Sequence, residues 1–174
     1  FRSHLTSVFR SRLTWSALPL QQNDNIRFCD DPEELAIVAE NGGAQIAPML
    51  AAVNQIADAI AEEWPHVLVD TFACKSHDIA ACVVCGLNDS LPADANTITV
   101  PTKIVPRPNV VIRICTAECN FAAPLSDPVN EHIRTNITAW GRVAKQTTVW
   151  DYTTNFRYLP TPFPDWYALG PNLK

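Results

Sequence analysis

Residues 47–72 read APMLAAVNQIADAIAEEWPHVLVDTF. Met49, Val53, Ile56, Ile60 and Trp64 recur at three- and four-residue spacing, which predicts a helix from about Ala47 to Glu63 with one apolar face. Pro65 cannot continue that helix, and His66-Val67-Leu68-Val69-Asp70-Thr71-Phe72 then predicts a short, mostly apolar strand. A helix feeding directly into an apolar strand is half of a crossover unit.

Similar units lie on either side. Upstream, Leu13 to Leu20 is strand-like and runs into the polar string Gln21-Gln22-Asn23-Asp24-Asn25. Asp31-Pro32-Glu33-Glu34 then opens a short helix to about Glu40, with a cap candidate, proline at the first helical position and acids in the first turn. Downstream, Asn109-Val110-Val111-Ile112-Arg113-Ile114-Cys115 is apolar enough for an internal strand. Ser126-Asp127-Pro128 opens a helix with the stripe Val129, Ile133, Ile137, Trp140 and Ala144, and residues 147–152 form a fourth strand. Strands separated by helical patterns predict a mainly parallel α/β sheet, read as a partial or rearranged (β/α)8 TIM-type barrel. The chain reads as one domain over residues 1–174. An irregular cysteine-containing insertion spans about 74–108, with a short helix near 80–84 and an extended piece at 97–100. Prolines in 156–164 preclude a regular helix there.

Composition narrows the partners. The 174 residues are 47% hydrophobic and carry 13 − 18 = −5 charges. Without a run of Lys or Arg, a phosphate-tracking surface and nucleic acid are not expected. No apolar stretch approaches the ~20 residues that span a bilayer. The six cysteines, Cys29, Cys74, Cys82, Cys85, Cys115 and Cys119, fit structural disulfides, buried thiols or half of a metal site. No metal triad spacing and no cofactor motif is evident. The sequons at Asn88 and Asn136 are candidate glycosylation sites. Together with the cysteines they favour a secreted protein, and the opening at Phe1 reads as a processed product or fragment.

Several separated blocks resemble one family: Gln22-Asn23-Asp24, residues 53–60, Val69-Asp70-Thr71-Phe72-Ala73, residues 109–115, residues 149–156, and Pro162-Phe163-Pro164. They look like an uncharacterised domain family of large secreted or surface glycoside-hydrolase-like proteins. Its architecture is similar to alpha-glucuronidases and beta-hexosaminidases. The resemblance implies a (β/α)8-type barrel of which this chain supplies the middle and later strands, and a polysaccharide or glycan as ligand.

In a barrel the carboxyl ends of the strands share one mouth, so Asp24, Asp70, Glu118 and Asp151 are expected to converge. Glycosidic cleavage needs one carboxylic acid and one carboxylate. The preferred pair is Glu118 as acid and Asp24 as base or nucleophile. Asp70, Arg113, Trp150, Asp151 and Tyr152 are the candidate substrate-binding residues, the aromatic rings suiting the C–H face of a sugar. Each carries a plainer alternative. Asp24 could cap a turn, Glu118 be a solvated acid, Asp70 tie down Thr71, and Arg113 be a salt-bridged barrel residue. A different class of function is a non-catalytic carbohydrate-binding or structural subunit whose open sheet edges bury against a protein partner or a missing segment of the parent chain.

Overall fold

A computed structural model describes residues 16–21, 29–73, 100–116, 119–155 and 158–173. In chain order the elements are β1 (Ala17–Pro19), α1 (Pro32–Glu40), α2 (Ala47–Ala61), β2 (Leu68–Phe72), β3 (Val110–Cys115), a 3-10 turn (Pro128–Asn130), α3 (Glu131–Val143), β4 (Gln146–Trp150) and α4 (Trp166–Asn172). The four strands form a single sheet in the order β1-β2-β3-β4, every neighbouring pair parallel. The mixed α/β class and the parallel sheet expected from the helix–strand alternation are both present.

The helices form where the sequence supplies their ends. Asp31 caps α1, its side chain accepting the Glu33 N–H at 2.9 Å, and Pro32 occupies the first turn. The chain then reverses through Gly42 and Gly43, whose φ values of 70° and 83° favour residues without a Cβ. A Cβ on Gly42 would also meet the Thr102 methyl at 3.1 Å. Helix α2 buries Leu50, Val53, Ala57 and Ile60, with Met49, Ile56 and Trp64 packed at the margin of the same cluster. Each fully buried Leu, Val or Ile contributes about 1.5–3 kcal/mol.

Register divides the sheet into two unlike faces. Leu18, Val69 and Val110 lie side by side, as do Thr71, Ile112 and Thr147, and then Ile114 and Val149. The apolar members from β1 to β3 enter the core with α2 and with Trp140 of α3. Alternation sends Pro19, Asp70, Val111 and Gln146 to the opposite face, with Phe72, Arg113 and Thr148 in the next row and Cys115 and Trp150 beyond. None of these belongs to the helix-covered core. Strand order that advances in one direction places right-handed crossovers on one side of a sheet, and α2 and α3 both lie there.

Three sequence expectations change in detail. Strand β4 ends at Trp150, so Asp151 and Tyr152 follow the strand and its two-residue alternation does not govern them. On α3 the buried positions are Ile133, Asn136 and Trp140, while Val129, in the preceding 3-10 turn, is half exposed. Helix α4, after Pro164 and Asp165, was not expected; its short Trp166-Tyr167-Ala168-Leu169 run buries only Ala168. The expected helix at 80–84, residues 97–99 of the extended piece, and Leu13 to Trp15 of the first strand lie outside the described residues.

Asparagines strap the segment entering β3 onto the helices. Asn41 Oδ1 accepts the backbone N–H groups of Lys103 and Ile104 at 3.0 and 2.9 Å. Asn54, buried on α2, accepts the Arg107 N–H at 3.0 Å and donates to the Val105 carbonyl at 2.9 Å. Asn109 donates to the Ala57 carbonyl at 2.9 Å. Asp58 adds a surface ion pair to Arg107 at 2.8 Å, and its hydrogen bond and charge hold the guanidinium proton more firmly still. Asn54→Ala should therefore lower stability by about 1–3 kcal/mol in urea unfolding, whereas Asp58→Ala should fall within the few tenths typical of an exposed pair. Equal losses would contradict the assignment of the strap to Asn54.

Candidate functional site at the carboxyl ends of the strands

The parallel order brings the carboxyl ends of all four strands to one rim. On the face away from the helices, Arg113 is the organising side chain. It stands in the middle of β3 beside Phe72 of β2, and its guanidinium makes an ion pair with Asp70. The Asp70 side chain is 9% exposed and that of Arg113 28%. Asp70 Oδ1 is enclosed and has no hydrogen-bond partner among the described residues, where the ion pair is the carboxylate's compensation.

Two aromatic rings hold the upper part of Arg113. Its guanidinium carbon lies 5.6 Å from the Phe72 ring centroid and 5.3 Å from that of Trp150. The two rings meet edge to face at 5.4 Å and 75°. These separations lie within the reach of cation–π attraction. Trp150 remains 43% exposed at the rim.

Beyond the strand ends, Thr116 and Asp151 follow β3 and β4. The Thr116 N–H donates to the Trp150 carbonyl at 3.1 Å, extending the ladder by one bond. Its hydroxyl donates to Asp151 Oδ1 at 2.6 Å, and the Tyr152 N–H reaches the same oxygen at 3.1 Å. Phe121 contacts Tyr152 at 6.3 Å and Phe163 at 4.8 Å between ring centroids, making an aromatic group beside the rim. The loop bearing Phe121 is tied down by buried Asn130. Its Oδ1 accepts the Asn120 N–H at 2.8 Å, and its Nδ2 donates to the carbonyls of Asn120, Ala123 and Pro124, each at 3.1 Å.

The candidate residues are thus placed unequally. Arg113, Phe72 and Trp150 come together, Asp70 anchors that group from below, and Asp151 and Tyr152 sit at the strand end. Asp70 pairs with Arg113 and makes no hydrogen bond to Thr71, so the salt-bridged reading of Arg113 describes its present contacts. In register Asp70 is level with Val111 and Gln146, five residues before Asp151 along β4. It supports the rim from within the sheet. Asp24, Glu118 and Asn88 lie outside the described residues. Asn136 is 1% exposed on α3, with its amide nitrogen enclosed; a glycan on that nitrogen does not fit this packing. Cys74, Cys82 and Cys85 also lie outside the described residues, and among those described no cluster of three His, Cys, Asp or Glu could hold a metal. No described helix is long and apolar enough to cross a membrane.

Sequence reasoning missed Phe72, Thr116, Phe121 and Asn130. Phe72 had a usable signal, because it stands two residues after Asp70 on the same strand face. Thr116 and Asn130 had none, since short polar residues at strand and helix ends read as ordinary turn and cap formers.

Fold and rim define a parallel α/β protein with both described helical crossovers on one face and a charged, aromatic opposite face. The chain belongs to the family described as "Domain of unknown function (DUF4838)", whose model matches residues 3–84 and 92–174. The interval 85–91 falls within the segment read as an insertion. No curated protein and no solved structure matches the chain.

Proposed function

We propose that this chain forms the carbohydrate-contacting wall of a glycoside-hydrolase-like barrel in a secreted protein, at the carboxyl ends of β2, β3 and β4. The observation that carries the reading is the rim group of Phe72, Arg113 and Trp150, with Asp151 following Trp150 at the strand end. An exposed indole face suits the C–H surface of a sugar ring, and guanidinium and carboxylate groups supply donors and acceptors for its hydroxyls. Support for closure into a barrel comes from the sequential strand order and from Asp70 and Val111, which are buried on the face away from the helices. Parallel sheets are normally buried on both faces, and barrel side chains fill the inside opposite the helices.

The chemistry is hydrolysis of a glycosidic bond, Glu118 protonating the leaving oxygen and Asp24 acting as base or nucleophile. A panel of oligosaccharides assayed for both retention and cleavage tests the two parts. Wild-type protein should bind and cleave one class. Glu118→Gln and Asp24→Asn should keep binding while turnover falls at least about a hundredfold, as expected for loss of a general acid or base. Undiminished turnover by folded Glu118→Gln protein rejects that assignment.

The second reading is a non-catalytic carbohydrate-binding or structural subunit. It draws on β4, where four of five residues are exposed and the outer edge has no partner strand among the described residues. Such an edge suits pairing with another polypeptide. Retention without cleavage by the wild-type protein would favour it.

A further inference from the structure

We propose that Thr116 is a positioning residue that locks the Asp151 carboxylate so that Oδ2 alone accepts a ligand hydroxyl at the rim. The inference rests on the carbohydrate reading for the ligand, but the lock itself follows from local geometry. Register pairs Cys115 with Trp150, so the residues that follow, Thr116 and Asp151, stand level across adjacent strand ends. The Thr116 N–H to Trp150 carbonyl bond at 3.1 Å fixes the threonine backbone. Thr116 is fully buried, which confines its side chain as well.

A hydroxyl has one proton to give. The Trp150 carbonyl lies 3.4 Å from Thr116 Oγ1, whereas Asp151 Oδ1 lies at 2.6 Å, so the proton goes to the carboxylate. With the Tyr152 N–H on the same oxygen at 3.1 Å, Oδ1 receives two donors. Oδ2 receives none from the described residues, and Asp151 is exposed. Two donors on one oxygen restrain rotation about both side-chain torsions of Asp151, removing an ordering cost that a ligand would otherwise meet. Asp70 is committed to Arg113 through one oxygen and its other oxygen is enclosed, whereas Asp151 is exposed with an oxygen to spare among the described residues. An oxygen of this kind takes a neutral hydroxyl donor and repels a carboxylate or sulfate.

The test compares Thr116→Val, nearly the same shape without the donor, with Thr116→Ser, which restores it. Three-bond couplings of the Asp151 β-protons, measured in protein labelled at aspartate, report the side-chain rotamer. Wild type and Thr116→Ser should show one rotamer, and Thr116→Val an average over several. The cello-, xylo-, manno- or chito-oligosaccharide that wild type retains should bind about tenfold more weakly to Thr116→Val, in line with loss of a charge-assisted hydrogen bond, and near normally to Thr116→Ser. An averaged Asp151 in wild type, an unaveraged one in Thr116→Val, or unchanged affinity despite averaging overturns the proposal. If wild type retains no glycan while the rotamer pattern holds, the carbohydrate reading fails and Thr116 stands as the residue that positions Asp151.

Discussion

Arg113→Met should destabilise the protein by about 3–5 kcal/mol, the cost of removing one partner from a largely buried ion pair. The magnitude comes from what is left behind. Asp70 is 9% exposed at its side chain and its Oδ1 has no hydrogen bond among the described residues, where Arg113 is the group that offsets its burial. An exposed pair would be worth less than about 1 kcal/mol. The double variant with Asp70→Asn should recover most of the loss, because no buried charge then remains unpaired. Urea unfolding of the two single variants and the double variant measures this directly. A loss under 1 kcal/mol for Arg113→Met would mean that the pair is hydrated and that this face of the sheet is wetter than described.

Trp140→Ala should cost a similar amount, about 3–5 kcal/mol, through lost burial and the cavity left behind. Trp140 is fully buried on α3 and joins the single core shared by α2 and the strands. Its indole nitrogen is enclosed without a partner among the described residues. Trp140→Phe therefore gives up volume but also removes an unsatisfied N–H, and should cost less than half as much as Trp140→Ala. Equal losses would indicate that the indole N–H makes a stabilising contact in solution.

These two variants probe opposite faces of one sheet, and the two faces differed in how far the sequence disclosed them. The helix-covered face was legible because burial repeats every three or four residues along α2, and Ile133 and Trp140 keep that spacing on α3. The stripe on α3 still shifted: Val129 turned outward and Asn136 inward. A polar residue at a buried helical position looks like a surface residue unless its neighbours in space are known. The opposite face was legible at single residues only. An arginine within an apolar strand requires an anionic partner, but nothing in its own segment names which one, and Asp70 reads from its own strand as a binding residue or a tie to Thr71. Their pairing depended on the β2–β3 register, which neither segment encodes by itself.

Longer-range polar contacts were hidden for the same reason. Thr116 and Asp151 are 35 residues apart, and their contact arises only because β3 and β4 end level. Asn54 joins a strap more than 50 residues away. Helix α4 escaped notice because its seven residues are too few for a period to repeat, and Trp166 and Tyr167 face solvent.

Two exposed tryptophans allow the proposed wall to be tested by contrast. Trp150 stands at the rim against Arg113, and Trp166 lies on α4, 75% exposed and not among the rings packed on that guanidinium. The most direct measurement is calorimetric titration of wild type, Trp150→Ala and Trp166→Ala with the best-retained oligosaccharide. Binding should weaken at least about tenfold for Trp150→Ala, the loss of a buried aromatic contact, and stay within about twofold of wild type for Trp166→Ala. Unchanged binding by Trp150→Ala, or no binding of any oligosaccharide by wild type, would contradict a carbohydrate wall at the strand ends.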